Sequence, residues 1–510
     1  MKTQITTAKW GFLTRKSVIL GILAIELIIL LFVVFRNFSF DYLWYDESGQ
    51  FWLAKGLNHD SPPLSPEGSL SDVIHNNGRY NMDPGGFSIL LFWWTKISNS
   101  IIWMRMLPFF FLVGISSSCA YIIYKFFNNK LLTFLALFLP FVYPVLLNMG
   151  FEIRAYSMEV FFTLMAVVAS IKLQASLTFK NLIIFGCLIS FGMCSRYSAI
   201  IIAFAVSVLI VYTILKSENS AAKKLFLLVA YCTPIFITLI AIYNNALFHQ
   251  NKHLGQLSYL QYISNNWSLL FRPINLAYFS LLAGLTVLLV KQKDWLKTEA
   301  YNSLLFLCLF SNVLYIILSA AGLHPWRIGS KGNISVNFLL IVCVFVMILH
   351  VLKNMPKSLR YTKLITALCF PAFIIYGYNR YLFPKHSESP YPRQDMHSNT
   401  TYRFDKLDTA KHRRIFVESW ESPYIRYEFE YGKMKHLSSI YPSRFTFGTG
   451  VPHYLFPKKK GEERKLIPPP SMDELQQYDL IISSELYDWS HHHHLHWQLI
   501  KDTHNFWEKK

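Results

Sequence analysis

The sequence predicts a polytopic α-helical membrane protein. It would have about eleven transmembrane helices, a long first outside loop bearing interfacial helices, and a small C-terminal α/β domain outside. Three observations lead there. Of 510 residues, 53% are hydrophobic, 16% aromatic and only 15% charged, whereas a soluble domain carries about 25% charged residues. From residue 1 to about 380 the apolar residues gather into runs, many near the ~20 residues that span a bilayer core. Residues 381–510 are instead polar and mixed in charge, long enough for a separate small domain.

The first apolar run, about 17–35, is too long for a signal-peptide core and no small-residue cleavage site follows it, so it reads as a retained helix. Lys2, Lys9, Arg15 and Lys16 precede it and put the N-terminus on the cytoplasmic side. Residues 36–100 then form a long outside loop. Within it, Glu47–Leu57 and Gly86–Ile97 read as interfacial helices, the second started by the Pro84-Gly85-Gly86 turn and too short to span upright. Further helices fall at about 101–124, 131–149, 156–171, 181–195, 197–215, 225–243, 274–290, 301–321, 334–352 and 362–379.

The charge pattern agrees with that alternation. Inside loops carry Lys125 and Lys130; Lys172 and Lys180; Lys216, Lys223 and Lys224; Lys291, Lys293 and Lys297; and Lys353, Lys357, Arg360 and Lys363. The C-terminus is thereby expected outside. This distribution also explains the net charge of +19 without nucleic acid, since the excess lies in short loops and the C-terminal segment is nearly balanced. All seven cysteines lie within or beside apolar runs, so neither a disulfide framework nor a thiolate zinc site is expected in the C-terminal domain. That domain has strand-like runs at Arg414–Val417 and Leu480–Ser483, with a helix around Ser422–Tyr431 between them.

Candidate chemistry begins at Asp41–Trp52, just past the first helix, where Asp46 and Glu47 sit among aromatics at interfacial depth. A carboxylate there is wet enough to ionise and close enough to lipid to meet a lipid-borne substrate. On the residues alone, solvating a helix end is an equally good role. Asn148–Glu159, at the next outside turn, brings Glu152, Arg154, Tyr156 and Glu159 to a membrane edge. Charges are costly near a bilayer centre, and snorkelling relieves most of that near the edge. Arg154 is either an interfacial arginine with a glutamate partner or a planar fork for a phosphate. The loop 322–333 is basic although it lies outside, which singles out Arg327 and Lys331 for a phosphate or a headgroup. Arg196 and Arg272 are read as ordinary interfacial charges. The histidines His491 to His494 with His496 attract a metal reading, but no cysteine or clear carboxylate geometry supports it. Lys458–Lys460 reads as a solvated run.

Four features in order carry a family resemblance: the acidic pair after helix one, a Pro-containing turn into an aromatic-rich helix, Met-Arg-Met-Leu-Pro at 104–108, and Glu-x-Arg-x-Tyr at 152–156. Together they resemble the GT-C glycosyltransferases of the protein-mannosyltransferase and aminoarabinose-transferase type, over about residues 17–175. The resemblance implies a polyprenyl-phosphate-linked sugar donor and transfer to a lipid, glycan or protein acceptor on the outer face, with inversion. It implies Asp46 as general base, Glu47 orienting the acceptor or binding a divalent metal such as Mg or Mn, and Arg154 stabilising the departing phosphate. Arg327 or Lys331 would contact the lipid phosphate. Relatives often carry His-Pro-Pro or Lys-Pro-Pro at the loop-one turn. Here Asp83 stands near that position, which alters the expected acceptor and metal use.

Two other classes compete. An O-antigen ligase or polymerase also uses outside arginines, but has no evident need for Asp46 and Glu47 after helix one. A transporter tends to bury ionisable residues at mid-membrane in two related halves; here Glu26 is the clearest mid-helix charge and the halves show no symmetry. The family type makes a bacterial inner membrane the expected location, with the C-terminal domain periplasmic.

Overall fold

The computed structural model describes residues 16–38, 43–58, 61–81, 83–173, 177–254, 273–291, 299–320, 324, 331–354, 407–408, 410–418, 422–438, 441–448, 453–455, 465–467, 472–482, 497–500 and 506–509. The expected helix at 362–379, Arg272, Arg327, the Lys458–Lys460 run and the His491–His496 segment lie outside the described residues. The chain divides into two compact units: Met1–Phe40, Asn77–Leu90 and Arg105–Asn379 form one, and Asp41–Asn76, Leu91–Met104 and Arg380–Lys510 the other.

The helices are α1 (Lys16–Phe38), α2 (Tyr45–Ala54), α3 (Leu70–Tyr80), α4 (Gly86–Thr95), α5 (Ile101–Phe127), α6 (Lys130–Ala136), α7 (Leu139–Val142), α8 (Pro144–Met149), α9 (Tyr156–Leu173), α10 (Phe179–Ser195), α11 (Ala199–Lys216), α12 (Ala221–Leu254), α13 (Pro273–Lys291), α14 (Glu299–Ala320) and α15 (Ile334–Asn354). Among the described residues, six helical stretches are long and apolar enough to cross a membrane: 101–127, 156–173, 199–216, 221–243, 302–319 and 331–350. This is the architecture expected of a polytopic membrane protein.

The single helix expected at 131–149 is instead three short ones, α6 to α8. Pro140 and Pro144 lie in the first turns of α7 and α8. Proline lacks the N–H that a continuing helix would need and its ring clashes with the preceding turn, so each restarts the helix. An unanticipated helix, α3, begins where Ser69 and Asp72 cap each other: the Ser69 backbone N–H donates to Asp72 Oδ2 at 2.7 Å and the Asp72 N–H to Ser69 Oγ at 3.3 Å. In the helical unit α9 is central, packing against α8, α10, α11, α14 and α15.

The other unit contains a five-stranded sheet. Its strands are β1 (Ile415–Glu418), β2 (Phe445–Gly448), β5 (Leu480–Ile482), β6 (Trp497–Leu499) and β7 (Phe506–Lys509), in the order β2-β1-β5-β7-β6; β3 (His453–Leu455) and β4 (Lys465–Ile467) pair separately. β1 is parallel to both β2 and β5, with Ile415 opposite Phe445 and Leu480, while β7 runs antiparallel to β5 and β6. Parallel neighbours need a crossover, supplied by α16 (Ser422–Glu430). Ile425 and Phe429, one helical turn apart, pack with Ile415, Val417, Phe445, Leu480 and Ile482 on one face. Alternate residues Phe416 and Ile481 point to the other, against Leu475, Trp497 and Trp507.

The opposite flank of α16 is covered by α2. Trp52 Nε1 donates to the Pro423 carbonyl at 2.8 Å, and the Arg426 guanidinium lies 4.1 Å from the Trp52 ring centroid. Arg426 also donates to Glu430 and to the carbonyls of Ser61 and Pro62. Helix α2, expected from the sequence to be interfacial, is thus packed against the C-terminal α/β elements.

Candidate functional site

The helical unit gathers charged side chains around the N-terminus of α9. Each arrives on a different element. Asp83 precedes α4 in a turn fixed by Gly85, whose φ of +102° suits glycine. Asn77 Nδ2 donates to the Asp83 carbonyl at 2.8 Å and Asn77 Oδ1 accepts from the Ser88 hydroxyl, which pins that turn. Arg154 lies in the bend between α8 and α9, and Tyr156 opens α9. Arg196 and Ser198 come from the tight α10–α11 turn. Lys331 to Asn333 form a short 3-10 turn leading into α15, which carries Ser335.

The Arg196 side chain holds the group together. Its Nε donates to Asp83 Oδ1 at 3.0 Å, and one terminal nitrogen reaches Glu159 Oε2 at 3.4 Å and the Lys331 carbonyl at 3.1 Å. Glu159 is fully buried and accepts two hydroxyls on Oε1, from Ser198 and Ser335, each at 2.8 Å. A buried carboxylate on an apolar helix is costly without partners, and Arg196 and Ser198 from the α10–α11 turn and Ser335 from α15 supply them. Arg154 approaches Asp83 Oδ2 at 3.8 Å.

Tyr156 is the apolar floor of the cluster, 3% exposed. Three cations lie over its ring: Arg196 at 4.2 Å from the centroid, Lys331 Nζ at 5.5 Å and Arg154 at 6.0 Å. Such contacts stabilise a cation through the ring quadrupole. With the fully buried Glu159, Asp83 and Glu152, the cations are balanced by carboxylates. Arg154 and Arg196 retain 16% and 17% of their exposure, so the group has an open side. Beyond it, His324 shares a short hydrogen bond with Asn333, whose Nδ2 donates to the Tyr315 hydroxyl at 2.7 Å.

Of the residues singled out from the sequence, Arg154, Tyr156, Asp83 and Lys331 come together here. Glu152 is buried in the same bend. Arg196, read from sequence as an ordinary interfacial charge, is the residue that joins Asp83 to Glu159. Glu159 itself was visible as a carboxylate at the start of an apolar run, a placement that calls for buried partners.

Asp46 and Glu47 belong to the other unit, in the first turn of α2. Glu47 is fully buried, and its Oε2 accepts from the Trp44 backbone N–H at 3.4 Å, which ties down the helix start. Asp46 is partly exposed. At ~100° per residue it lies roughly 120–140° around α2 from Phe51 and Trp52, away from the flank that meets α16.

Among the described residues, no group of three or more His, Cys, Asp or Glu side chains is gathered to hold a metal ion. The expected metal carboxylate, Glu47, is turned to its own backbone, and Asp83 faces two arginines, a poor setting for a divalent cation.

Neither a family model nor a curated protein sequence matches the chain. Among solved structures it is similar to an Archaeoglobus fulgidus oligosaccharyltransferase, crystallised with zinc and sulfate, at 12% identity and a TM-score of 0.40. The likeness covers 81% of this chain and 61% of that one, so this chain spans about three-fifths of its length. At that score the similarity carries no function across.

Proposed function

We propose that this chain is a membrane glycosyltransferase of GT-C type, moving a sugar from a polyprenyl-phosphate donor to a lipid, glycan or protein acceptor at the outer face of a bacterial inner membrane. The observation that carries the reading is the trio of cations over the Tyr156 ring, at the end of α9 away from Lys172. Planar guanidiniums and an ammonium with an open side suit a phosphate whose charge grows as its bond to the sugar breaks.

In this reading the acceptor hydroxyl oxygen attacks the anomeric carbon, its proton passes to the Asp46 carboxylate, and the bond from that carbon to the phosphate oxygen breaks. The electron pair leaves with the phosphate. A single displacement inverts the anomeric centre. Arg154 and Lys331 receive the phosphate charge, with Arg327 a further candidate. Asp83 and Glu152 set the arginines, Tyr156 backs them, and Glu47 fixes the start of the helix that presents Asp46. No step is routed through a metal.

The test is sugar transfer by purified protein in lipid from a panel of radiolabelled polyprenyl-phosphate sugars, with Asp46→Asn and Arg154→Ala beside the wild type. Transfer by wild type that collapses in folded Asp46→Asn supports the class and the base together. Transfer that survives the substitution removes Asp46 from the role. A wild type that neither transfers nor binds any donor overturns the reading.

A further inference from the structure

At the other end of α9 the helical unit holds a cavity of about 550 Å³ between α5, α9 and α10. Its lining forms three stripes at helical spacing. Gly114, Ser117, Ser118 and Tyr121 come from α5; the α9 stripe runs from Phe161 through Met165 to Lys172, and the α10 stripe from Asn181 to Leu188. The volume is within the ~300–1,000 Å³ of ordinary ligand pockets. From Phe161 to Lys172 the helix rises about 16 Å, close to the depth of one leaflet's hydrocarbon, roughly half of a ~30 Å core.

The groove is mostly apolar and has a lysine at one end. α5 touches α9 where Phe111 meets Phe161 and where Ser118 Oγ lies 3.3 Å from Met165 Sδ. A Cβ on Gly114 would sit 2.4 Å from the Phe161 ring, so the approach there depends on glycine. Ile184 in the lining stays 49% exposed, an apolar surface suited to an acyl chain.

Lys172 lines the mouth, is exposed, and has no ion-pair or hydrogen-bond partner among the described residues. Lys125 at the end of α5 and Lys180 at the start of α10 are exposed beside it in the helix order. No Asp or Glu occurs in α5, in α9 after Glu159, in α10, or in α12, which packs on α10; in the sequence between α5 and α6, α9 and α10, and α11 and α12, Glu218 is the one acid. An apolar slot of leaflet depth that ends at an unneutralised cation is complementary to an acyl chain carrying an anionic phosphodiester.

We propose that this groove binds an anionic glycerophospholipid of the leaflet at the Lys172 end, with an acyl chain along α9 and the headgroup phosphate at Lys172 and Asn181. The site is remote from Tyr156 and does not depend on the glycosyltransferase reading.

The test is native mass spectrometry of the full chain released from nanodiscs containing equal phosphatidylglycerol and phosphatidylcholine. Wild type should retain one phosphatidylglycerol in preference to phosphatidylcholine. Lys172→Glu should reduce that preference roughly tenfold, about 1.4 kcal/mol, Lys172→Arg should keep it, and Lys216→Glu on α11 should leave it unchanged. Ile184→Trp, filling a half-exposed position, should remove the retained lipid of either kind, with thermal unfolding establishing that each variant is folded. Equal retention of the two lipids by wild type overturns the proposal. So does a preference that survives both Lys172→Glu and Ile184→Trp, or a second protein copy cross-linked at this face.

Discussion

Arg196 Nε donates to Asp83 Oδ1 at 3.0 Å, joining the turn before α4 to the turn between α10 and α11. Asp83 is 7% and Arg196 17% exposed, so removing one partner leaves a mostly buried charge. Loss of one member of such a pair costs about 3 kcal/mol or more. Arg196→Ala should therefore lower the thermal unfolding midpoint of the purified protein clearly. Arg196→Lys, which keeps the charge but loses the fork, should recover part of the loss. Equal stability of wild type and Arg196→Ala would mean that Arg154 alone neutralises Asp83.

Tyr156 separates two roles of one side chain. Its ring is buried and faces three cations, so Tyr156→Ala creates a cavity and removes the quadrupole, at a cost of about 3 kcal/mol. Tyr156→Phe keeps both the ring and its volume. The expected outcome is near wild-type stability for Tyr156→Phe and a marked loss for Tyr156→Ala, measured by thermal unfolding in one detergent. A large loss for both would make the hydroxyl, rather than the ring, the structural element.

Gly86 lies three residues after Asp83, and a Cβ there would stand 2.6 Å from the Cys194 carbonyl oxygen, two residues before Arg196. Backbone cannot swing aside as a side chain does, so Gly86→Ala must push the two turns apart. Overpacking of this kind costs about 1–3 kcal/mol, and the displacement acts directly on the Asp83–Arg196 pair. Combined with Arg196→Ala, the Gly86→Ala penalty should be less than additive, a coupling that a double-mutant cycle on unfolding midpoints would measure. Strict additivity would separate the turn packing from the ion pair.

Hydropathy made the six membrane-length helices among the described residues legible, since long apolar runs between lysines have few alternatives in a bilayer. It misread 131–149, because a run of apolar residues outweighs Pro140 and Pro144 in hydropathy, although they cannot continue a helix. α3 was missed although Ser69 with Asp72 is a capping signal in the sequence. At the site, Glu152, Arg154 and Tyr156 stood out as neighbours in one polar stretch. Lys331 stood out as a cation in an outside loop, but Arg196 did not, because its value comes from being brought to Tyr156 by helix packing. The Trp52–Pro423 hydrogen bond joins residues 371 positions apart, and no local pattern announces such a pairing.

Glu67 gives the other unit a pH dependence with a definite sign. Burial opposes its ionisation, yet Lys55 and Lys96, each 2.8 Å away, hold its carboxyl down at about 2. Lys55 is itself almost fully buried, and burial lowers its pKa despite the pull of Glu67. The Glu67 carboxyl is thus depressed in the folded state relative to its ordinary 4.5. Its stabilising contribution is fully present above the unfolded value and is lost as pH falls through the folded one. Glu67→Gln should therefore be less stable than wild type at pH 7. The difference should begin to shrink below about pH 4.5 and be lost as pH falls through about 2, below which wild type also carries a neutral side chain. Chemical unfolding of both proteins across that range, followed by tryptophan fluorescence, measures it directly. A gap that stayed constant down to pH 2 would mean that the two lysines do not set the Glu67 charge, and that the loss in the variant comes from packing.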